Sequence, residues 1–261
     1  MIAVILHTTF TRFEWAKKTI ESFAKYPRFK LYIADTGEIT AEKQDYYRKL
    51  EEAGHFVAFC GWDTSPAITR NFLVDQATED FIFKIDDDFE FKPDLFDVDH
   101  VLKLFRDNPA FGLFGFSVKS DVWASQFVYD LEKTDRGLYM LKHKIKKSFI
   151  PCDVTPDCWI ARREMFPDCN WDERYHVCEG LHTDFFAQIK FFTKWKVAYL
   201  SNQTIWTFKH EEGIKIPDHI RRNSFYNRKR FRHMEYVENG PNKVDYSKFC
   251  DKWGVKEFIK R

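Results

Sequence analysis

The chain has 261 residues, a mass of 31.4 kDa and a formal net charge of +1. This length suits one large α/β domain, or one domain with a substantial extension. The balanced charge gives no overall attraction to nucleic acid or to a membrane surface, so neither is an expected partner, although a peripheral membrane contact stays open. No apolar run approaches the ~20 residues that a membrane helix needs. The first six residues are too short for a signal peptide and lack a basic leader, so we expect a cytoplasmic protein or a core cut from a larger one.

The first part of the chain alternates predicted strands and helices. The predicted strands are 2–6, 29–34, 55–59 and 80–85, and the predicted helices are 12–24, 40–53 and 65–77. Each strand is a short apolar run, and Pro66 fills the first turn of the third helix after the capping residue Ser65. This β-α-β-α-β-α-β order predicts an α/β fold with a mixed, mostly parallel sheet and helices on both faces.

The rhythm changes in the second part of the chain. The predicted helices there are 98–105, 162–166 and 180–193, and the predicted strands are 111–118, 125–131, 137–143, 196–200 and 204–208. Turns that contain Gly and Asp join the first three of these strands, which indicates a small antiparallel section. From His210 onward the chain turns basic, with six Arg or Lys residues among aromatic residues in 219–233.

Three consecutive carboxylates, Asp86, Asp87 and Asp88, follow the predicted strand 80–85. Because a strand interior excludes charge, the triplet belongs at the strand end, where ligands bind in an open parallel sheet. Carboxylate oxygens suit Mg²⁺ or Mn²⁺, and such a cation suits a diphosphate. The triplet therefore points to an enzyme that acts on a nucleotide-linked substrate. The alternative is a solvated acidic turn.

Other polar residues are expected near the same edge of the sheet, and they are Thr8, Thr9, Arg12, Asp35 and Arg70. Asp35 could accept hydrogen bonds from a base or a ribose, or it could satisfy its own backbone in an Asx-turn. The planar guanidinium of Arg70 could hold a phosphate or the base. These residues are candidates for contacts with a nucleotide.

Two segments in sequence resemble the nucleotide-sugar half of GT-A glycosyltransferases of the family 2 type. Residues 63–71 form a small-residue segment that ends in Arg-Asn, and residues 81–89 form a strand that closes on a D-x-D motif. The Asp-Asp-Asp-Phe variant is most similar to the branch of the ganglioside β-1,4-N-acetylgalactosaminyltransferases. Four later segments also resemble family motifs in order, at 158–163, 170–173, 181–186 and 206–210. The resemblance spans roughly residues 1–210.

The resemblance implies a metal-dependent glycosyltransferase. It would use a nucleotide-diphospho-sugar, expected to be a UDP-sugar, and a hydroxyl of a glycan or glycoconjugate acceptor, with inversion. Asp86 would face the ribose or the metal beside Asp87, Asp88 would ligate Mn²⁺ (or Mg²⁺), and His210 would complete the protein ligands. Asp35 would contact the base and Arg70 the nucleotide. The cation would neutralise the diphosphate leaving group.

The general base is where the chain departs from the family pattern. Inverting members carry a Glu-Asp pair before the helix at 180–193, and Leu181-His182 stands in that place here. Asp184 is our first candidate because carboxylate bases dominate such sites, His182 is the second and Glu179 the third. Alternatively, the carboxylates only favour the helix N-terminus, and without a base a retaining mechanism returns to consideration.

The expected organisation is a single GT-A domain at 1–210, with a nucleotide-sugar half at 1–92 and an acceptor half at 93–210. Residues 211–261 would form a basic extension that acts as a lid, contacts anionic lipid or is a solvated helix. A sugar nucleotidyltransferase is a rival function, but residues 7–12 lack the Gly-rich loop that it needs. A noncatalytic carbohydrate-binding protein that kept the fold is a second rival.

Overall fold

The computed structural model describes residues 1–8, 13–61, 64–120, 124–125, 127–175, 180–208 and 247–260. The strands are β1 (Ile2–Thr8), β2 (Phe29–Asp35), β3 (Phe56–Phe59), β4 (Phe81–Ile85), β5 (Phe89–Glu90), β6 (Phe111–Lys119), β7 (Tyr129–Lys133), β8 (Gly137–Lys142), β9 (Phe149–Cys152), β10 (Trp159–Arg162), β11 (Lys196–Thr207) and β12 (Glu257–Lys260). The α-helices are α1 (Phe13–Ala24), α2 (Ala41–Glu52), α3 (Pro66–Gln76), α4 (Val98–Asp107), α5 (Leu181–Phe192) and α6 (Ser247–Trp253). A short 3₁₀ turn follows β10 at Arg163–Met165.

The main sheet has nine strands in the order β3-β2-β1-β4-β10-β6-β11-β5, with β9 paired to β11. The pairs β3–β2, β2–β1, β1–β4 and β6–β11 are parallel. Strand β10 lies antiparallel between β4 and β6, so it begins at the edge of the sheet where those two strands end. The predicted fold class is confirmed as a mixed, mostly parallel sheet.

Helices cover both faces of this sheet. Alternate residues of β1 enter two separate apolar clusters, because successive strand side chains point to opposite faces. Ala3 and Ile5 pack in the cluster that holds the inner sides of α3 and α5. Ile2, Val4 and Leu6 pack in the cluster that holds the inner sides of α1 and α4. The aromatic residues of the chain fill both clusters.

Strand β11 differs from its prediction, and it ends near the acidic triplet. We predicted two strands at 196–200 and 204–208, but the structure has one strand with a shift in pairing between Leu200 and Thr204. This shift in pairing falls where the apolar pattern of the sequence is interrupted, which is why we predicted two strands. The far end of β11 pairs with β5, and Phe208 N donates to Asp88 O at 3.2 Å. The end of β11 therefore lies against the acidic triplet.

The described C-terminal residues pack against the rest of the fold. Strand β12 pairs in parallel with β8, and β8 pairs with β7, to make a second, three-stranded sheet. Phe249 and Trp253 of α6 are buried in the same apolar cluster as α5. Residues 247–260 are thus part of the packed fold, and the predicted division of the chain at residue 210 stays a prediction. Of the extension predicted at 211–261 as a possible lid, residues 211–246 lie outside the described residues.

Two smaller observations complete the fold. Of the strand predicted at 125–131, only the part from Tyr129 onward is assigned as strand, in β7. Across the described parts of the chain, no helix combines the length and the apolar character that crossing a membrane requires.

Candidate active site

The ends of β1 and β4 bring the first predicted residues together. The two strands are parallel neighbours with Leu6 opposite Ile85, so the residues that follow them meet at one edge of the sheet. Thr8 Oγ1 donates to Asp87 Oδ2 at 3.0 Å, and both side chains are buried. Asp87 is thereby tied to the first strand.

The other two carboxylates of the triplet line a cavity of about 300 Å³. Asp86 and Asp88 form one part of its wall, and Asp157 and His182 form another. The remaining lining is apolar or carries a hydroxyl, and consists of Phe89, Val118, Ser125, Phe127, Pro156 and Thr207. A small apolar pocket with a few convergent charged groups is the usual form of a ligand site.

Lys84, which was not among the predicted site residues, lies behind this wall. Lys84 of β4 is 1% exposed, and its Nζ lies 2.7 Å from Asp86 Oδ1 and 2.7 Å from Asp157 Oδ2. The same ammonium donates to the Asp157 carbonyl oxygen at 2.8 Å. Arg70 adds a second cation, with a guanidinium nitrogen 3.4 Å from Asp157 Oδ2 and 3.7 Å from Asp86 Oδ1. Four charged side chains thus form one compact network of two cations and two anions.

The network fixes the charge of Asp157. Burial alone would raise the pKa of this carboxyl, but Lys84 and Arg70 outweigh burial and, with His182, hold that pKa well below its usual range. Asp157 is therefore an anion that accepts hydrogen bonds and donates none.

His182 stands at the start of α5, on the opposite side of Asp157 from Lys84. Its Nδ1 lies 3.2 Å from Asp157 Oδ1, and its Nε2 lies 2.8 Å from Thr155 O. The rings of Phe127 and Phe186 lie beside the imidazole, at centroid distances of 5.5 and 4.9 Å. The helix begins at Gly180, whose φ of 86° is in the left-handed region that favours glycine. The sharp entry to α5 lets His182 reach the cavity.

A model of the family "Glycosyl transferase family 2" matches residues 4–169, which is more than half of the chain. The chain belongs to glycosyl transferase family 2. The match includes the acidic triplet, Lys84 and Asp157, so most of the cavity wall lies in the family's own segment. No curated protein matches the chain.

Solved structures of S. aureus TarS share the fold of this family 2 chain. TarS 1–349 in complex with UDP has a TM-score of 0.55 at 16% identity, with 79% of this chain and 60% of that chain covered. The complex of TarS 1–349 with UDP-GlcNAc has a TM-score of 0.55 at 14% identity, with 81% and 59% covered. The longer TarS structure has a TM-score of 0.56 at 13% identity, and this chain covers 36% of it. The chain thus spans less than two thirds of the TarS chains that it matches.

Asp184, our first candidate for the base in this family 2 fold, does not line the cavity. Its carboxylate is fully buried. Oδ1 accepts from Trp253 Nε1 at 2.8 Å, and Oδ2 accepts from Lys252 Nζ and from Gln188 Nε2, each at 2.8 Å. In this arrangement Asp184 anchors α6 to α5. Of the two predicted catalytic residues, the structure brings only His182 to the cavity, and the role of Asp184 as a base stays a prediction.

Asp35 is also enclosed. Its Oδ1 accepts from Gly37 N at 2.7 Å, which is the Asx-turn that we considered, and its Oδ2 accepts from Lys43 Nζ at 2.8 Å and Tyr47 OH at 2.9 Å. The side chain is fully buried at the end of β2. Its position at the sheet edge is the predicted one, and its contact with a base stays a prediction.

Four predicted residues, Thr9, Arg12, Glu179 and His210, lie outside the described residues. Within the residues that the structure does describe, no three His, Cys, Asp or Glu side chains converge on a point where a metal ion could bind. Asp86 and Asp88 offer the hard oxygen donors that Mn²⁺ or Mg²⁺ prefers, so they fit part of a ligand set.

Lys84 and Asp157 were not among the predicted site residues. Lys84 did give a signal, because a single charge inside an otherwise apolar strand requires a buried partner of opposite sign. Asp157 precedes β10, and its position beside Lys84 depends on β10 lying antiparallel next to β4. That neighbour relation is not visible in the sequence.

Proposed function

We propose that the protein transfers a sugar from a UDP-sugar to a hydroxyl of a glycan or glycoconjugate acceptor, with a divalent cation and with inversion. The observation that carries this proposal is the cavity at the end of β4, where Asp86 and Asp88 of a family 2 chain face Asp157 and His182. A site at the carboxyl ends of parallel strands is where such folds bind ligands.

The cation would be Mn²⁺ or Mg²⁺, and Asp86, Asp88 and His210 would hold it. Asp86 Oδ1 lies 2.7 Å from Lys84 Nζ, and Asp88, which lines the same cavity, would be the principal carboxylate donor. The support for His210 is that Phe208, which follows β11 and lies two residues before His210, donates its N–H to Asp88 O. When bound, the cation would neutralise the charge that develops on the leaving diphosphate.

The donor would carry uridine diphosphate. TarS structures hold UDP and UDP-GlcNAc, and the shared fold supports the same donor class here. Thr8, Thr9, Arg12, Asp35 and Arg70 remain the proposed contacts of the nucleotide. The resemblance to the ganglioside β-1,4-N-acetylgalactosaminyltransferase branch makes UDP-N-acetylhexosamines the first donors to test.

Inversion is supported by the ion pairs that Lys84 makes with two carboxylates. A retaining double displacement needs a carboxylate nucleophile, and Asp86 and Asp157 are each held in an ion pair by Lys84. A carboxylate in such a pair is a poor nucleophile. Direct attack by the acceptor hydroxyl is the simpler path, and it inverts the anomeric centre.

The test is release of UDP from UDP-sugars by the purified protein, with Mn²⁺ and without acceptor. We expect slow, Mn²⁺-dependent release from at least one UDP-sugar, because water attacks the activated donor. Asp88→Asn should abolish release, whereas Asp45→Asn, at a side chain that is 70% exposed on α2, should leave it unchanged. If the wild-type protein binds UDP-sugars with Mn²⁺ but releases no UDP, the noncatalytic alternative holds. If it binds none, the proposal fails.

A further inference from the structure

Lys84 is a charged residue inside an apolar strand. Its neighbours Phe83 and Ile85 are buried in the cluster of α1 and α4, whereas the side chain of Lys84 lies on the opposite face of the sheet and is 1% exposed. A buried ammonium is costly unless acceptors surround it. Lys84 Nζ donates to Asp86 Oδ1 at 2.7 Å and to Asp157 O at 2.8 Å, and it lies 2.7 Å from Asp157 Oδ2. These three contacts all lead to two residues of the cavity wall.

The register of β4 and β10 explains why a cation is needed at this place. Lys84 is paired with Trp159 in these antiparallel strands. The same register, continued by two residues, places Asp86 opposite Asp157. Like charges that face each other across two strands repel. Lys84 Nζ contacts both carboxylates and so offsets this repulsion. Without Lys84, we expect the two carboxylates to move apart.

Both carboxylates stay partly open on the side of the cavity. The side chain of Asp86 is 40% exposed and that of Asp157 is 29% exposed, and both line the cavity, whereas Lys84 does not line it. Arg70 adds a second cation at longer distances, 3.4 Å from Asp157 Oδ2 and 3.7 Å from Asp86 Oδ1. Lys84 can therefore act on a ligand only through the carboxylates that it holds.

We propose that Lys84 is a positioning residue of the donor site, which holds Asp86 and Asp157 side by side for the bound UDP-sugar. This inference rests on the proposed function and deepens it, because it gives the buried lysine a role in donor binding. Ionised carboxylates at this wall can take up the cation and accept hydrogen bonds from hydroxyls of the donor. A pair of carboxylates that is in place before the donor arrives lowers the cost of ordering the site on binding.

Calorimetric titration with UDP and Mn²⁺ tests this role in three variants. Lys84→Met should lower both the urea midpoint and the affinity for UDP, since it leaves the two carboxylates opposed. Asp157→Asn keeps the hydrogen bond between Lys84 and Asp86. Lys84→Met/Asp157→Asn keeps the net charge of the wild-type protein, and the removal of both charges should restore much of the midpoint. We expect this double variant to bind UDP at least about tenfold more weakly than both the wild type and Asp157→Asn.

The two reference proteins separate positioning from charge and from fold stability. If Lys84 acts only by its charge, the double variant will bind UDP as the wild type does. If Lys84 only supports the fold, the folded double variant will bind UDP as Asp157→Asn does. Either result overturns the inference and leaves the proposed function standing.

The control for the loss of a lysine is Lys103→Met on α4, where the side chain is 64% exposed, and this variant should bind UDP as the wild type does. If the wild-type protein binds no UDP with Mn²⁺, the proposed function fails and the inference fails with it.

Discussion

Gly115 lies in the middle of β6, directly beneath Thr155. A Cβ added at Gly115 would lie 2.1 Å from Thr155 Oγ1, 2.3 Å from its Cβ and 2.7 Å from its Cγ2. Strand β6 is paired on both sides, with β10 and with β11, so its backbone cannot shift to accommodate the added Cβ. Thr155 must move instead, and its carbonyl oxygen is the hydrogen-bond partner of His182. Gly115→Ala is therefore expected to disturb both the core and the wall of the cavity.

Overpacking of a core costs about 1–3 kcal/mol, and contacts this short place Gly115→Ala near about 3 kcal/mol. With a urea slope of about 3 kcal/mol/M for a chain of this size, the unfolding midpoint should fall by about 1 M. Thr155→Gly removes the three atoms in question, so Gly115→Ala/Thr155→Gly should recover part of the loss. Gly112 lies in the same strand as Gly115, and a Cβ added there would lie 3.0 Å from Trp195 Cβ. Gly112→Ala is therefore the milder control. A midpoint for Gly115→Ala equal to that of the wild type would refute this account of the packing.

Two further predictions concern carboxylates. The pKa of Asp172 is lowered by hydrogen bonds from Arg174 and Lys252, and that of Asp157 by its cationic neighbours, which outweigh burial. Since both folded pKa values lie below the unfolded ones, their contribution is complete above about pH 5 and is lost as pH falls through the folded values. The urea midpoint of the wild-type protein should therefore drop between pH 5 and pH 3, and that of Asp172→Asn should drop less. A difference between these two proteins that does not change with pH would contradict this. Asp184 anchors α6, so Asp184→Asn and Lys252→Met should each lower the urea midpoint and should each still release UDP. Loss of UDP release in a folded Asp184→Asn variant, with release retained in Lys252→Met, would restore the role of Asp184 as the base.

The parts of the fold that follow from local pattern could be predicted from the sequence. Strands β1, β2 and β4 are apolar runs that end in polar residues, and their parallel order places Thr8, Asp35 and Asp87 at one edge. The motif order also gave the family. These inferences succeed because each depends on a few neighbouring residues and on the general handedness and packing of α/β units.

The remaining parts depend on partners that are distant in the chain. Lys84 meets Asp157 only because β10 enters the sheet antiparallel beside β4. Asp184 meets Trp253 across 69 positions, and α6 is short and polar enough that its sequence alone does not predict a buried helix. Asp184 lies away from the cavity because Lys252 and Trp253, which are distant in the chain, enclose its carboxylate together with Gln188 of the same helix, and its role as the base stays a prediction.

The most direct test of the central claim is a calorimetric titration of the wild-type protein and Asp88→Asn with UDP, each with Mn²⁺ and with a chelator. We expect the wild-type protein to bind UDP only with Mn²⁺, and we expect Asp88→Asn to lose that Mn²⁺-dependent binding while it retains the fold. Unchanged, Mn²⁺-dependent affinity in Asp88→Asn, or wild-type binding that ignores the cation, would contradict the assignment of this cavity as the donor site.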